Sequence, residues 1–349
     1  MNPIAKGLMV VSLTMGPLLT MMSNHWILAW CGLEISTLSI IPLIAQQHHP
    51  RAIEAATKYF LIQAMASSML LFSTIFNSWD LGQWNTTLLY NNTSCTLLTV
   101  ALAMKLGLSP FHLCLPEVLQ GTNTKTAMLL TTWQKLAPLT LLMMTHQHLN
   151  TPLLLLMGVL SAFLGGWGGL NQTQLRKMMA FSSIAHLGWM TIILTMSPKL
   201  TLLTFYLYSM MTISMFLMME HLKTDKMSTI MTSWTKAPLM NSTMMMILMS
   251  LGGMPPLTGF SQKWLILQEL IKQHLSPNCH ANNYSFTTKP ILLLTTLLLH
   301  CNHSTPKPIQ PHPTVTTQNT KCKTTLSPSF LLINYTPTTS TNNTIYHLN

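Results

Sequence analysis

Nine apolar stretches of near-bilayer length follow one another along this chain, and they decide what it can fold into. They lie at roughly 3–22, 26–45, 58–76, 96–116, 126–145, 152–170, 178–196, 200–219 and 238–272, the last one long and interrupted. About 20 consecutive apolar residues cross the hydrocarbon core as a helix. Lipid-exposed backbone must satisfy its own hydrogen bonds, so a bundle of helices is the natural architecture. A β-barrel would show short alternating segments, whereas these are continuous Leu, Met and Ile runs. Only 7% of the residues are charged, against about 25% in soluble domains. The expectation is an all-α polytopic membrane protein, with 1–275 as the transmembrane bundle.

The first apolar run is full length and lacks the short core and small-residue cleavage pattern of a removable signal. The six cysteines fall at unrelated spacings, which reads as free apolar thiols rather than a disulfide framework. A net charge of +11 raises the question of nucleic acid, but the basic residues alternate by loop. Arg51, Lys58, Lys125, Arg176, Lys177, Lys223, Lys226 and Lys236 lie on the amino-terminal side if the helices cross in order. The opposite loops before residue 237 hold only Lys199. That asymmetry follows the positive-inside rule and predicts an amino terminus on the cytoplasmic or matrix side. Membrane topology accounts for the charge, and no nucleic-acid partner is needed.

Four ionisable residues sit where lipid should have removed them. Glu34 lies in "WCGLEISTLSIIPL", Lys105 in "ALAMKLGLSPFH", Lys135 in "TTWQKLAPLTLL" and Lys263 in "PPLTGFSQKWLILQEL". Such a group costs roughly 2.5–3.5 kcal/mol near a helix centre on insertion scales. One reading is snorkelling of the long stems to the headgroups. The other is a set of inward groups that face one another, one carboxylate and several amines forming a proton relay. Pro110 should break the helix carrying Lys105, since it lacks an N–H and clashes with the carbonyl four residues back. A second break is expected at "GGMPPLTGF", residues 252–260, just before Lys263. Interrupted helices beside intramembrane charges are the sequence signature of transporter sites.

His112 follows the first break, and His186 sits within "FSSIAHLGWM". Each is either a hydrogen-bonded packing residue or a relay member, a role suited to a side chain that titrates near neutrality. "QQHHPR" and "THQHLN" lack zinc-site spacing, and no two spans carry the paired histidines of a two-haem bundle. "GGWGGL", 165–170, reads as close helix packing.

"AMKLGLSPFHLCLPEVLQG" (103–121), "WQKLAPL" (133–139), "GGLNQTQLRKMMAFSSIAHLGWM" (168–190) and "LGGMPPLTGFSQKWLILQEL" (251–270) closely resemble the antiporter-like subunit 2 family of vertebrate mitochondrial NADH–ubiquinone oxidoreductase, respiratory complex I. The resemblance runs nearly continuously to about residue 276. It implies an antiporter-like helical bundle with two broken transmembrane helices, shortened at the amino terminus, in the inner mitochondrial membrane beside the other membrane-arm subunits and lipid. It also implies a proton path through Glu34 with Lys105, then Lys135, then Lys263. No cofactor or metal would belong to this chain; NADH, FMN, iron–sulfur clusters and ubiquinone would be bound by other subunits. A stand-alone cation/proton antiporter and an inert membrane spacer are the competing classes.

After residue 275 the pattern stops. Residues 276–349 hold 16 Thr, 9 Asn and 8 Pro, with one apolar run, "PILLLTTLLLHC", too short for a span. The family would have two more helices here. Dropping one nucleotide from a back-translation near Pro277 permits a good apolar span ending in a basic residue, which predicts a one-nucleotide frameshift. Resequencing across Asn278–Cys279–His280 decides it.

Overall fold

The computed structural model describes residues 3–274, apart from 48, 87, 90, 171, 235 and 236; the Thr/Asn/Pro-rich tail and its expected frameshift lie outside the described residues. In chain order the helices are α1 (Pro3–Met22), α2 (Trp26–Ile44), α3 (Pro50–Leu81), α4 (Asn92–Leu106), α5 (Cys114–Gly121), α6 (Thr124–Thr131), α7 (Leu136–Thr145), α8 (Thr151–Gly169), α9 (Leu175–Leu194), α10 (Pro198–Leu222), α11 (Met227–Ser233), α12 (Pro238–Gly252) and α13 (Thr258–His274). Among the described residues there is no strand, only two isolated bridges, His25 with Asn85 and Gln174 with Lys226. The all-α membrane bundle expected from hydropathy is the fold.

Among the described residues seven helices are long and apolar enough to cross a membrane, counting α4 and α5 as one interrupted passage. The stretches at 126–145 and 238–272 fall short because each is cut into two helices. The cut in the first of these corrects the sequence expectation of an uninterrupted helix. Pro138 removes the bond to the Gln134 carbonyl and clashes with it, so α6 ends and a 3₁₀ turn, Trp133–Lys135, intervenes before α7. The signal was the same as at Pro110. The breaks at Pro110 and at 252–260 fall where the sequence placed them.

Glycine brings the helices close. A Cβ at Gly16 would lie 2.7 Å from the Gly32 carbonyl oxygen, and one at Gly165 would lie 2.6 Å from the Ala185 nitrogen. The α1–α2 and α8–α9 crossings therefore require bare backbone, as small-residue packing in membranes does. The "GGWGGL" reading is met in this way. Hydroxyls are disposed of locally. Ser36, Ser39, Ser73, Ser161 and Ser183 each donate to the carbonyl three residues back, at 2.7–2.8 Å. A Ser/Thr-rich chain can thus enter lipid without stranding donors.

Burial separates centre from rim. The apolar window of α9 is 78% buried and that of α1 only 22%, so α9 runs through the middle and α1 along an edge. The alternating basic loops meet at one end of the bundle. Arg176 pairs with Asp225 at 2.6 Å and donates to the Thr122 carbonyl, Lys125 pairs with Glu220 at 3.0 Å, and Lys58 pairs with Glu117 at 2.7 Å. The other end closes through backbone bonds from Trp26 to Trp84 and from Thr86 to Asn24. In-order crossing, assumed in the charge argument, is what the contacts describe.

Candidate functional site

Three interruptions supply the site. At the first, Gly107 takes φ +77°, and the amides of Gly107 and Leu108 both return to the Ala103 carbonyl. At the last, Gly253 takes φ +84°, with the Gly253 and Met254 amides on the Met249 carbonyl. These are glycine-closed helix ends of the kind only a residue without Cβ forms at low cost. Each interruption also leaves carbonyls that the helix no longer uses, and side chains from elsewhere take them. Gln63 of α3 donates to the Lys105 carbonyl at 3.5 Å, Tyr208 of α10 to Thr131 at 3.4 Å, and Lys263 to Gly252 at 2.9 Å. Irregular backbone at membrane depth survives when it is satisfied in this manner.

All three lysines are buried: Lys105 is 7% exposed, Lys135 3% and Lys263 3%. Snorkelling is excluded for them. Glu34 differs, because its side chain is 24% exposed while that of Lys105 is 1% exposed. Part of the Glu34 side chain therefore reaches the edge, while its Oε2 is buried beside the Lys105 ammonium. They approach to 3.7 Å between Glu34 Oε2 and Lys105 Nζ, and Ser67 donates to Glu34 Oε1 at 3.4 Å. At an effective dielectric of about 20 such a pair attracts by on the order of 4 kcal/mol. That is comparable with the insertion cost of one ion and explains how Lys105 is tolerated.

Lys105 and Lys135 line one small cavity of about 20 Å³, together with Tyr59, Gln63, Cys114 and Gln134. A volume of roughly 10–15 Å³ admits a water when polar partners are present. The structure thus joins Glu34 to Lys105 by an ion pair, and Lys105 to Lys135 by a shared polar space. Lys135 Nζ lies 5.6 Å from the centre of the Tyr208 ring, and the His186 ring lies 5.3 Å from the same ring on α10. Lys263 does not line the cavity; it sits at the third interruption, where its neighbour Gln262 donates to the Thr204 carbonyl of α10 at 3.4 Å. His112 is 9% exposed, on the 3₁₀ turn after Pro110, and its Nδ1 has no hydrogen-bond partner among the described residues. It does not line the cavity either.

Residues that sequence reasoning passed over complete the site. Gln63 and Gln134 are polar amides inside apolar runs, and an amide there must find partners; that cost was a readable signal. Gln134 donates to the Ser36 carbonyl at 2.7 Å. Tyr208 gave no signal, because an aromatic ring in an apolar helix is unremarked wherever it points. Among the described residues no three His, Cys, Asp or Glu side chains gather as a metal site.

Residues 23–280 match the family model described as NADH:quinone oxidoreductase/Mrp antiporter, transmembrane. A curated relative from Pelomedusa subrufa, NADH-ubiquinone oxidoreductase chain 2, is 60% identical over 276 residues, 79% of this chain and 80% of its own length. Among solved structures, a chain of respiratory complex I from Thermus thermophilus superposes with a TM-score of 0.75 at 25% identity, covering 90% of this chain and 74% of that one. A chain of the Mrp complex from a Dietzia species gives 0.69 at 14% identity, over 84% of this chain and 58% of that one; that likeness speaks for the fold alone.

Proposed function

The chain belongs to the NADH-ubiquinone oxidoreductase chain 2 family, and from that membership we propose how it moves protons. It is a membrane-arm subunit of proton-translocating NADH:ubiquinone reductase, and it couples redox work done in other subunits to proton transfer through its own buried charges. FMN, iron–sulfur clusters, NADH and ubiquinone are handled by those subunits, and its partners are the neighbouring membrane-arm chains and lipid. The membrane is the mitochondrial inner membrane. The end carrying Arg51, Lys58, Lys125, Arg176, Lys223 and Lys226 faces the matrix, with the amino terminus, as the positive-inside rule requires.

The observation that carries the proposal is the cavity shared by Lys105 and Lys135 with the Glu34 ion pair at its side. Doubling the Glu34–Lys105 separation halves an attraction of about 4 kcal/mol. The roughly 2 kcal/mol of attraction lost, supplied by work done elsewhere in the assembly, is stabilisation withdrawn from the Lys105 proton and is of the size of the roughly 2.3 kcal/mol needed to carry one charge across 100 mV. Separation of the pair therefore frees the Lys105 proton to cross the cavity to Lys135, and Lys263 receives it at the last interruption. His112 and His186 bridge gaps with water. A stand-alone antiporter shares this fold, but 60% identity to a complex I chain favours the assembly.

The match to relatives over 276 of 349 residues supports the reading of 276–349 as a frameshifted tail replacing two family helices.

The test is substitution in the assembled complex. Lys105→Met and Glu34→Gln should each lower proton-coupled turnover in proteoliposomes by tenfold or more. An unchanged proton-to-electron ratio and rate would make the charges inert. Recovery of the chain alone and active after mild detergent extraction would favour the antiporter.

A further inference from the structure

We propose that Tyr208 is a positioning residue that holds the charged form of Lys135 against its ring face. The inference rests on the relay reading and adds to it a partner for the central amine. Lys105 has the Glu34 carboxylate, and Lys263 has the Gly252 carbonyl. Lys135 has neither: its ammonium nitrogen is buried with no hydrogen-bond partner among the described residues. What it does have is Tyr208, whose ring centre lies 5.6 Å away. A cation within about 6 Å of an aromatic centroid is attracted by the ring quadrupole, most strongly where water is excluded. Tyr208 is fully buried at 0% exposure, so the contact is desolvated.

The ring is also fixed. Its hydroxyl reaches the Thr131 carbonyl freed where α6 ends, 3.4 Å away, with the Ser183 side chain of α9 as a second polar partner, and the His186 and Phe205 rings stand at 5.3 and 6.4 Å. The hydroxyl is thus held by Thr131 and Ser183, and the face is turned to the lysine. The groups around Lys135 are Lys105 of α4, Tyr59 of α3 and Cys114 of α5 at the cavity, with Tyr208 of α10 and, against the Tyr208 ring, His186 of α9. The carboxylate of Glu34 pairs with Lys105 and does not line the cavity. Facing another amine and no carboxylate, Lys135 has the ring face as its one electrostatic partner for the charged form among the described residues. A neutral holder has a use in a relay: it stabilises the charge without trapping it as a carboxylate would.

The experiment uses the intact complex with substituted copies of this chain, reconstituted in liposomes, and reads proton output against pH and assembly. Lys135→Met must abolish proton output; if it does not, the relay reading fails and this inference with it. Given that loss, Tyr208→Leu should move the alkaline limb of the output–pH profile about one unit toward lower pH, the size expected for a desolvated cation–ring contact. Tyr208→Phe, which keeps the face and drops the hydroxyl, should hold the limb in place. A limb unmoved in Tyr208→Leu, or moved as far in Tyr208→Phe, overturns the proposal while leaving the relay intact. Should Tyr208→Leu prevent assembly, the double variant with Lys135→Met decides. Restored assembly shows that a stranded ammonium was the fault, and continued failure shows a packing role only.

Discussion

Gly253 sits at φ +84°, and a Cβ placed there would lie 2.7 Å from Lys263 Nζ. Gly82 has φ +67° with nothing within 4 Å of its added Cβ. The pair separates strain from displacement. Either Gly→Ala change costs about 1–2 kcal/mol for the left-handed backbone. Only Gly253→Ala should also push the amine off the Gly252 carbonyl. We expect both variants to lose similar thermal stability and only Gly253→Ala to lose proton output, measured as protons per NADH. At this scale the sequence was eloquent about charge and silent about rings. Glu34, Lys105, Lys135 and Lys263 stood out because each is expensive in lipid, and the structure buries the three amines. Glu34 was expected to be as deep, but a quarter of its side chain is exposed, since position along a helix says nothing of which way that face turns. Tyr208 was invisible for the same reason.

Among the elements, the interruptions matter more than the spans. Pro138 is buried in the first turn of α7, where proline's missing N–H is tolerated, and Pro138→Ala would supply an N–H able to reach the Gln134 carbonyl and carry the helix back through the turn. The expected result is paradoxical for a stability argument: unaltered or improved melting, with proton output reduced on the order of tenfold or more as the Lys135 turn is drawn into a continuous helix. A purely structural proline would leave output untouched. Helix limits were well legible where hydrophobicity and helicity coincide, as in α1, α2 and α8. They diverge in α3, read as 58–76 but running from Pro50 to Leu81. Its first turns, "PRAIEAAT", are helical yet too polar to register as membrane. Hydropathy reports residence in lipid, and helix length is a different quantity.

For the whole molecule, orientation is the checkable property. Lys125 and Lys199 are exposed and lie at opposite ends by the loop alternation. The Lys125–Glu220 pair is exposed on both sides, and such pairs contribute about 1 kcal/mol or less, so Lys125→Cys should leave the fold undisturbed. In mitoplasts a membrane-impermeant thiol reagent should label Lys199→Cys from outside and Lys125→Cys only after the membrane is opened. The reverse pattern would invert the topology. The global architecture was legible because lipid imposes so few solutions on an apolar chain. The assembly of amine, amide and ring around one cavity was not, since it depends on how five helices rotate against one another.

One helix has a dimension that its surroundings cannot match. At 1.5 Å per residue, the 32 residues of α3 make a rod of about 48 Å, against about 30 Å of hydrocarbon. Such a rod must lean or stand proud of the oil. Along one of its flanks Gln63 grips the Lys105 backbone and Ser67 grips the Glu34 carboxylate, so any change of slant tugs on both halves of that couple together. Vesicles built from lipids of graded acyl length should therefore alter the pumping yield while electron flow to an artificial acceptor stays level, making this helix a gauge of membrane thickness.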